Sequence, residues 1–476
     1  MKNIRWIPLC VGFGLCVVML VLPRPEGLSV EGQRALAVTL LMAAWWMGEA
    51  LPMATVALVP LLVYPVLGVM GVSQTARQYV EPNIFLFMGG FMIAMAMQKW
   101  NLHRRIALYV IAAMGTGQRR MLLGFMSATA FLSMWVSNTA TAVMMLPIAL
   151  AVLHALADAA HSQSQNQSKS NFGTMLMLGI AYASSIGGVA TLIGSPPNLI
   201  FAGQARALFP GEPPVTFLRW FMIGFPLALG FLLISWGYLA SRLTRPSAEN
   251  AGSDAVVKEE IQKLGPWTRG EIGVMVVFAA AALGWIARPY LAKGIHDAAI
   301  AMTAAAVLFV TPVDLKKREF LLDWRWASRI PWGVLLLFGG GFALAESFTA
   351  TGLAHWISRY FEVLHGMPLW LMILILTLLA TFLSELMSNT AQVTMLIPVL
   401  AAAAPALEVH PYWLMLPVTF ASSFAFMMPV GTPPNAIAIG TGYVRLPDMA
   451  KAGFVLNLLG SLWITFLSLI LLPFFI

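Results

Sequence analysis

Apolar residues run along this chain in long unbroken blocks, and charged residues gather in the short stretches between them. No block alternates apolar and polar with the period of two that a strand or an outer-membrane barrel requires, so each is read as a helix. The blocks fall at about 6–23, 34–50, 53–71, 83–98, 173–204, 217–241, 271–288, 295–312, 332–347, 412–440 and 453–475. Most approach the ~20 residues that cross a ~30 Å hydrocarbon core, which predicts eleven membrane spans. Two further stretches, 121–154 and 368–403, fit differently. Met121 to Leu153 is 33 uncharged residues, too many for one crossing and too few for two at a rise of ~1.5 Å per residue. Ser137-Asn138-Thr139 lies at its middle, where the tip of a re-entrant hairpin would fall. In the second stretch Pro368–Met387 almost spans by itself, and there the hairpin reading rests on an internal repeat.

That repeat is readable at three landmarks. "LFMGGFMIAMAMQKWNL" (86–102) aligns with "LFGGGFALAESFTATGL" (337–353), identical at seven of seventeen positions at an offset of 251. "SNTATAVMMLP" from Ser137 and "SNTAQVTMLIP" from Ser388 share that offset and six of eleven positions. "IGSPPN" (193–198) answers "VGTPPN" (430–435) at an offset of 237, each preceded by "ASS", and the shortfall matches the polar, low-complexity insert around HSQSQNQSKSN. An odd number of spans separates the halves, so the two repeats have opposite membrane orientation. Inverted repeats with interrupted helices are the sequence mark of secondary transporters, with the site at mid-membrane. The chain therefore divides into 1–30, a first span outside the repeat; 31–245, the first inverted repeat (hairpin about 121–154, broken helix about 173–204); 246–270, a cytoplasmic linker; and 271–476, the second inverted repeat (hairpin about 368–403, broken helix about 412–440).

Composition strengthens this picture. Of 476 residues, 59% are hydrophobic and 10% charged, against about 25% charged in soluble domains. The net charge of +8 reflects basic loops on one membrane side, and no nucleic-acid partner is inferred from it. Lys2, Arg5, Lys99, Arg104, Arg105, Arg119, Arg120, Lys316, Lys317, Arg318, Arg325, Arg445 and Lys451 all fall on that side if there are eleven spans and each hairpin enters and leaves together. The N-terminus is then cytoplasmic and the C-terminus extracytoplasmic. The opening apolar run is long for a signal peptide and lacks a small-x-small site before Arg24, so it is read as retained. Cys10 and Cys16, six apart within it, are read as small apolar residues.

The polar residues left inside the apolar blocks carry the candidate chemistry. Gly194-Ser195-Pro196-Pro197-Asn198 and Gly431-Thr432-Pro433-Pro434-Asn435 interrupt helices, and such backbone survives in a bilayer only against protein or a cavity. Each break is expected to offer carbonyls from one half-helix and N–H groups from the next. Ser133 precedes Ser137 by four, as Ser384 precedes Ser388, so each tip has a second hydroxyl on the same helix face. Two hydroxyls, an asparagine amide and a carbonyl from the facing break suit Na⁺, a hard cation, while helix N-termini suit an anion. The plainer alternative is that such residues glue helices together and the prolines kink them; the matched constellations favour a site. No Lys or Arg lies in either triplet or either proline motif, so a bound anion would depend on co-bound cations to offset its charge. Glu49, Glu346 and Glu385 lie within spans. Glu385 follows Ser384, but Met134 stands at that place in the first half, and this one-sidedness favours a structural role. The histidines are scattered, and no nucleophile with a base and no His-Glu-x-x-His set is visible in the sequence. The chain is not read as an enzyme.

SNTAT at 137–141, the second Ser-Asn-Thr at 388–390, the two (Ser/Thr)-Pro-Pro segments, "GEALPMATVALVPLLVYPVLGV" (48–69) and "MWVSNTATAVMMLPIAL" (134–150) resemble the divalent anion:sodium symporter family, which includes the INDY-type dicarboxylate transporters. The resemblance covers the chain from about residue 30 to its end. It implies an all-α integral membrane homodimer with a fixed scaffold and a mobile, elevator-type transport domain carrying the hairpins and broken helices. By motif, it implies a first Na⁺ site of Ser133, Ser137, Asn138 and the Gly194 carbonyl, and a second of Ser384, the Met387 carbonyl, Asn389 and the Gly431 carbonyl. It places substrate carboxylates between Ser137-Asn138-Thr139 and Ser388-Asn389-Thr390, backed by Ser195, Pro196, Thr432 and Pro433. The implied activity is Na⁺-coupled import of C4-type dicarboxylates (succinate, fumarate, malate) across the cell membrane, the inner one in a bacterium, with no organic cofactor. Sulfate symport and Na⁺-independent exchange are the family's alternatives. Gln392 stands where SNTAT would place threonine, and Ser195 where many members have threonine; both bear on substrate choice.

Overall fold

Apart from a two-stranded β-ribbon pairing Pro312–Asp314 with Glu319–Phe320, the regular structure is helical. The computed structural model describes residues 5–115, 117–160, 171–243, 253–291, 294–364 and 366–476. The polar insert at 161–170 lies outside the described residues. Among the described residues seven helices are long and apolar enough to cross a membrane, and six shorter apolar helices join them. Large apolar side chains such as Leu62, Val66, Met222, Leu283 and Phe466 face outward, as a lipid-facing surface requires and a water-facing one rarely tolerates.

Most expected spans appear within a few residues of their predicted limits, as in Phe217–Ser241, Arg269–Leu291 and Trp332–Ala350. Two helix starts are capped by side chains: Ser29 accepts from Gly32 N–H, and Thr216 from Arg219 N–H. The expected span 53–71 is corrected. It is two helices, Met53–Val56 and Val59–Leu67, with Pro60 just inside the second. Ala57 at this interruption gives its carbonyl to the Tyr79 hydroxyl, so the freed backbone acceptor is satisfied.

The repeat is visible as a repeated order of elements. Pro82–Lys99, Leu102–Met114, the pair Gln118–Ser133 and Asn138–Ala160, the pair Asn171–Val189 and Pro196–Leu208, and Phe217–Ser241 form the first set. Trp332–Ala350, Leu353–Ser358, the pair Leu369–Ser384 and Asn389–Ala403, the pair Tyr412–Ala421 and Pro433–Gly440, and Leu446–Leu471 answer them. The sets interlock: Pro196–Leu208 packs on Trp332–Ala350 and Asn389–Ala403, and Asn171–Val189 packs on Pro433–Gly440. Gln204 of the first set donates its amide to the carbonyls of Gly341 (2.9 Å) and Thr394 (3.1 Å) of the second.

The segment expected as a cytoplasmic linker, 246–270, contains the helix Ser253–Leu264. Arg104 pairs with its Glu260, and Arg105 is buried against Glu271 (2.7 Å) and the carbonyls of Leu264, Gly265 and Pro266. The link between repeats is thus fastened to Leu102–Met114.

Candidate functional site

Each Ser-Asn-Thr triplet sits where one helix ends and another begins. In the first pair, one helix stops at Ser133 and the next starts at Asn138; in the second, one stops at Ser384 and the next starts at Asn389. Facing them, the broken helices stop at Val189 and Ala421 and restart at Pro196 and Pro433. Ser195 and Thr432 occupy the N-cap positions with the same backbone angles, φ −141° and ψ 140°. Neither hydroxyl caps its helix, and the Thr432 hydroxyl is buried with no partner. Both remain available to a ligand.

One cavity of about 420 Å³ collects these parts. Ser137, Asn138, Thr139, Gly194, Ser195 and Pro196 line it from the first repeat, and Ser388, Asn389, Thr390, Gly431, Thr432 and Pro433 from the second. Ser133, Ser384 and Met387 lie outside the lining; the two serines are fully buried and Met387 nearly so. Glu49, Met53, Phe87, Phe91, Pro331 and Val334 form much of the remaining wall. Phe87 and Phe91 are positions of the "LFMGGF" landmark, so the repeat marked them without revealing that they face the site. Glu49 is the sole charged residue lining the cavity among the described residues, and Arg5 approaches it at 3.6 Å.

Behind each tip the oxygen geometry is nearly the same. Ser133 Oγ lies 2.8 Å from Asn138 Oδ1 and 2.6 Å from the Ser184 carbonyl. Ser384 Oγ lies 2.6 Å from Gln392 Oε1 and 2.8 Å from the Ser422 carbonyl. A hydroxyl has one proton to donate, so each serine sits between two acceptors and can satisfy one. Such crowding of neutral oxygens suits a small hard cation. Asn198 clamps the carbonyls of Gly188 and Thr191 at 2.9 and 2.8 Å, and Asn435 clamps those of Ala425 and Met428, both at 3.0 Å. These asparagines end the two proline motifs and hold the unwound segments; sequence reading quoted them without giving them a role.

Gln392 has a structural part. It accepts from Ser384 and donates to the Ala380 carbonyl at 2.8 Å. Asn389 Oδ1 is then buried without a partner, whereas its counterpart Asn138 Oδ1 receives the Ser133 hydroxyl. The donor sets expected for Na⁺ fit the ion on this chemistry: neutral hydroxyl, amide and carbonyl oxygens, one of them orphaned.

The proline breaks differ from expectation in one respect. Two prolines open each second half-helix, and neither has an N–H. These half-helices therefore contribute their dipole and cap hydroxyls, while first turns without proline belong to the helices that begin at Asn138 and Asn389.

Known proteins resemble this chain over nearly its whole length. The profile of the sodium:sulfate symporter transmembrane region matches residues 3–472. The chain is 40% identical over 475 residues to the sodium-dependent dicarboxylate transporter SdcS of Staphylococcus saprophyticus, covering 98% of this chain and 91% of that one. It is 38% identical to SdcS of Staphylococcus aureus strain RF122, with the same coverage. Among solved structures, MtrF of Neisseria gonorrhoeae, titled as illuminating a class of antimetabolite efflux pumps, superposes with a TM-score of 0.58 at 12% identity over 97% of this chain and 94% of MtrF. The Alcanivorax borkumensis YdaH transporter gives 0.54 at 14% identity over 92% and 98%. At those identities the structural likeness speaks for fold alone. The sequence matches over nearly the whole length are decisive: this chain belongs to the divalent anion:sodium symporter family, whose members are multi-pass membrane transporters.

Proposed function

We propose that the protein is a secondary active transporter that couples inward Na⁺ movement to uptake of C4-type dicarboxylates such as succinate, fumarate or malate. The observation that carries the reading is the pair of oxygen cages behind one shared cavity, Ser133 with Asn138 and Ser184, and Ser384 with Gln392 and Ser422. Na⁺ at Ser133, Ser137, Asn138 and the Gly194 carbonyl, and at Ser384, the Met387 carbonyl, Asn389 and the Gly431 carbonyl, would supply the positive charge that the cavity lining lacks. The dianion would then lie between Ser137-Asn138-Thr139 and Ser388-Asn389-Thr390, with Ser195, Pro196, Thr432 and Pro433 behind. The SdcS relatives, sodium-dependent dicarboxylate transporters by name, support both the ion and the substrate class.

In this reading the gaps at 134–137 and 385–388 are tips of re-entrant hairpins, and hairpins and broken helices move together past a scaffold. The working unit is a homodimer in the cell membrane, with the N-terminus cytoplasmic and the C-terminus outside. Uptake of labelled succinate into proteoliposomes under an inward Na⁺ gradient tests the reading. Uptake should depend on Na⁺ and be blocked by excess fumarate or malate. Sulfate is the second reading, favoured by the match to the sodium:sulfate symporter transmembrane region. Competition by sulfate with none by fumarate would replace the first reading with it, and uptake driven by internal dicarboxylate without Na⁺ would replace both with exchange.

Asn138→Ala and Asn389→Ala should each weaken the stabilisation that NaCl gives to thermal unfolding, with choline chloride as control. An unchanged Na⁺ response in both variants would remove the cages from the mechanism.

A further inference from the structure

The cavity read as a dianion site carries a negative charge in its own wall. Glu49 is the sole charged residue lining it among the described residues, and its backbone is out of the ordinary. Just beyond the helix Val30–Met47, Glu49 adopts φ 46°, in the left-handed region that glycine or asparagine usually occupies at a helix C-terminus. Gly68, which ends Val59–Leu67 at φ 71°, is the common choice. A glutamate persists there only where its surroundings impose it, and such outliers gather at functional sites.

Arg5 stands beside it, with Nη2 3.6 Å from Glu49 Oε2. The pair is not needed to fasten the first helix. Trp6–Val21 is tied to Val30–Met47 by the Gln33 amide, which donates to the carbonyls of Met19 and Leu22 at 2.8 and 2.9 Å. The Trp45 indole donates to the Leu9 carbonyl at 3.0 Å, and Pro8 rests so near Gly48 that a Cβ there would strike it. Side chains 61% and 36% exposed make a pair that adds little stability.

What these charges govern is the potential inside the cavity. A carboxylate in the wall repels an anion without touching it, because the Coulomb energy falls only with the inverse of distance. A cleft with low-dielectric walls concentrates that field. The repulsion grows with the charge of the guest, whereas apolar contact and shape do not. Resting on the anion-site reading of this cavity, we infer that Glu49 is a specificity-determining residue that repels the guest in proportion to its charge, acting at a distance and not as a ligand, with Arg5 setting the strength of the repulsion. Without Na⁺ the cavity then stays empty at anion concentrations that fill the Na⁺-loaded one, and a dianion whose Na⁺ has left is expelled.

The test is displacement of labelled succinate from the purified full chain in saturating Na⁺, at a pH of about 8 where the ligand carboxyls are ionised. Monomethyl succinate, succinate and tricarballylate carry one, two and three negative charges, and each is compared with itself across variants, so its size cancels. Glu49→Gln should tighten the three by about threefold, tenfold and thirtyfold, a constant factor per unit charge. Arg5→Gln should weaken them in the same order, and Glu49→Asp, which keeps the charge, should stay within about threefold of the parent for all three. A pair that merely anchors Trp6–Val21 would make the Gln variants alike and treat the three ligands equally. Either of those results overturns the inference, as does a Glu49→Gln protein that binds like its parent. If Glu49→Gln does not fold, Arg5→Gln decides alone, a weakening graded by charge upholding the inference and an ungraded or absent one overturning it. An unaltered chain that binds none of the three anions in Na⁺ overturns the anion-site reading itself.

Discussion

At the scale of single residues, the site is a problem of oxygens with too few protons. Ser133 and Ser384 each face two acceptors within 2.8 Å, and the backbone is shaped to permit it. Gly188 is glycine because a Cβ there would strike the Asn138 amide. Gly188→Ala should displace that amide from Ser133 and raise the Na⁺ concentration for half-maximal uptake by about tenfold, with stability in choline changed by about 1 kcal/mol or less. Its neighbour offers a contrast. A Cβ on Gly187 would strike the Ala130 backbone, which cannot swing aside, so Gly187→Ala should lower thermal stability in choline by about 1–3 kcal/mol. The triplets were legible in sequence because Ser, Asn and Thr stand out in an apolar chain and occur twice at one offset. Gln392 was legible as a departure from SNTAT. Its effect, releasing Asn389 Oδ1 by taking the Ser384 hydroxyl, depends on side-chain reach across eight residues, which spacing alone does not disclose.

At the scale of elements, prolines and basic pairs decide where helices stop and what they are tied to. The proline motifs were readable as breaks, and Pro196 and Pro433 do open new helices. The division of 53–71 was not, because Pro60 and Pro65 sit in an apolar run long enough to pass for one span. The linker helix Ser253–Leu264 was missed for a different reason: with few apolar residues, its stability comes from partners distant in sequence. Arg104 pairs with its Glu260, and Arg105 holds the carbonyl of its last residue, Leu264, while pairing with Glu271 of the next helix at side-chain exposures of 2% and 4%. Arg105→Ala leaves a buried carboxylate unpaired and should destabilise the protein by about 3–5 kcal/mol, measurable as a lowered unfolding midpoint. Glu260 adds a pH dependence. Burial pushes its carboxyl up, but hydrogen bonds from Lys263 and Arg104 outweigh that and hold it below its ordinary value. A depressed folded value means its stabilisation is present above the ordinary glutamate value and is lost as pH falls through the depressed one. Protease cleavage within 253–264 should therefore rise in that acid window in the unaltered chain. Glu260→Gln should show raised cleavage at neutral pH with no such transition.

At the scale of the whole molecule, the two repeats build one cavity from matching halves, which sequence disclosed through three landmarks and two offsets. The lateral packing was beyond it, since helix order in sequence does not say which helices touch. Membrane sidedness is tested directly. In a chain with Cys10 and Cys16 replaced by serine, Phe474→Cys should react with an impermeant thiol reagent applied outside intact cells. Lys316→Cys, in the β-ribbon turn, should react only after permeabilisation. The reverse pattern would invert the orientation.

Gln204 has a consequence for motion. Its single amide nitrogen is shared by Gly341 on Trp332–Ala350 and Thr394 on Asn389–Ala403. If the hairpins travel while Trp332–Ala350 stays put, that fork joins the moving piece to the stationary one, and each stroke must break one tine and remake it on return. An abandoned buried carbonyl costs about 1–3 kcal/mol. That is enough to make the posture seen here a resting place, and little enough for thermal agitation to leave it.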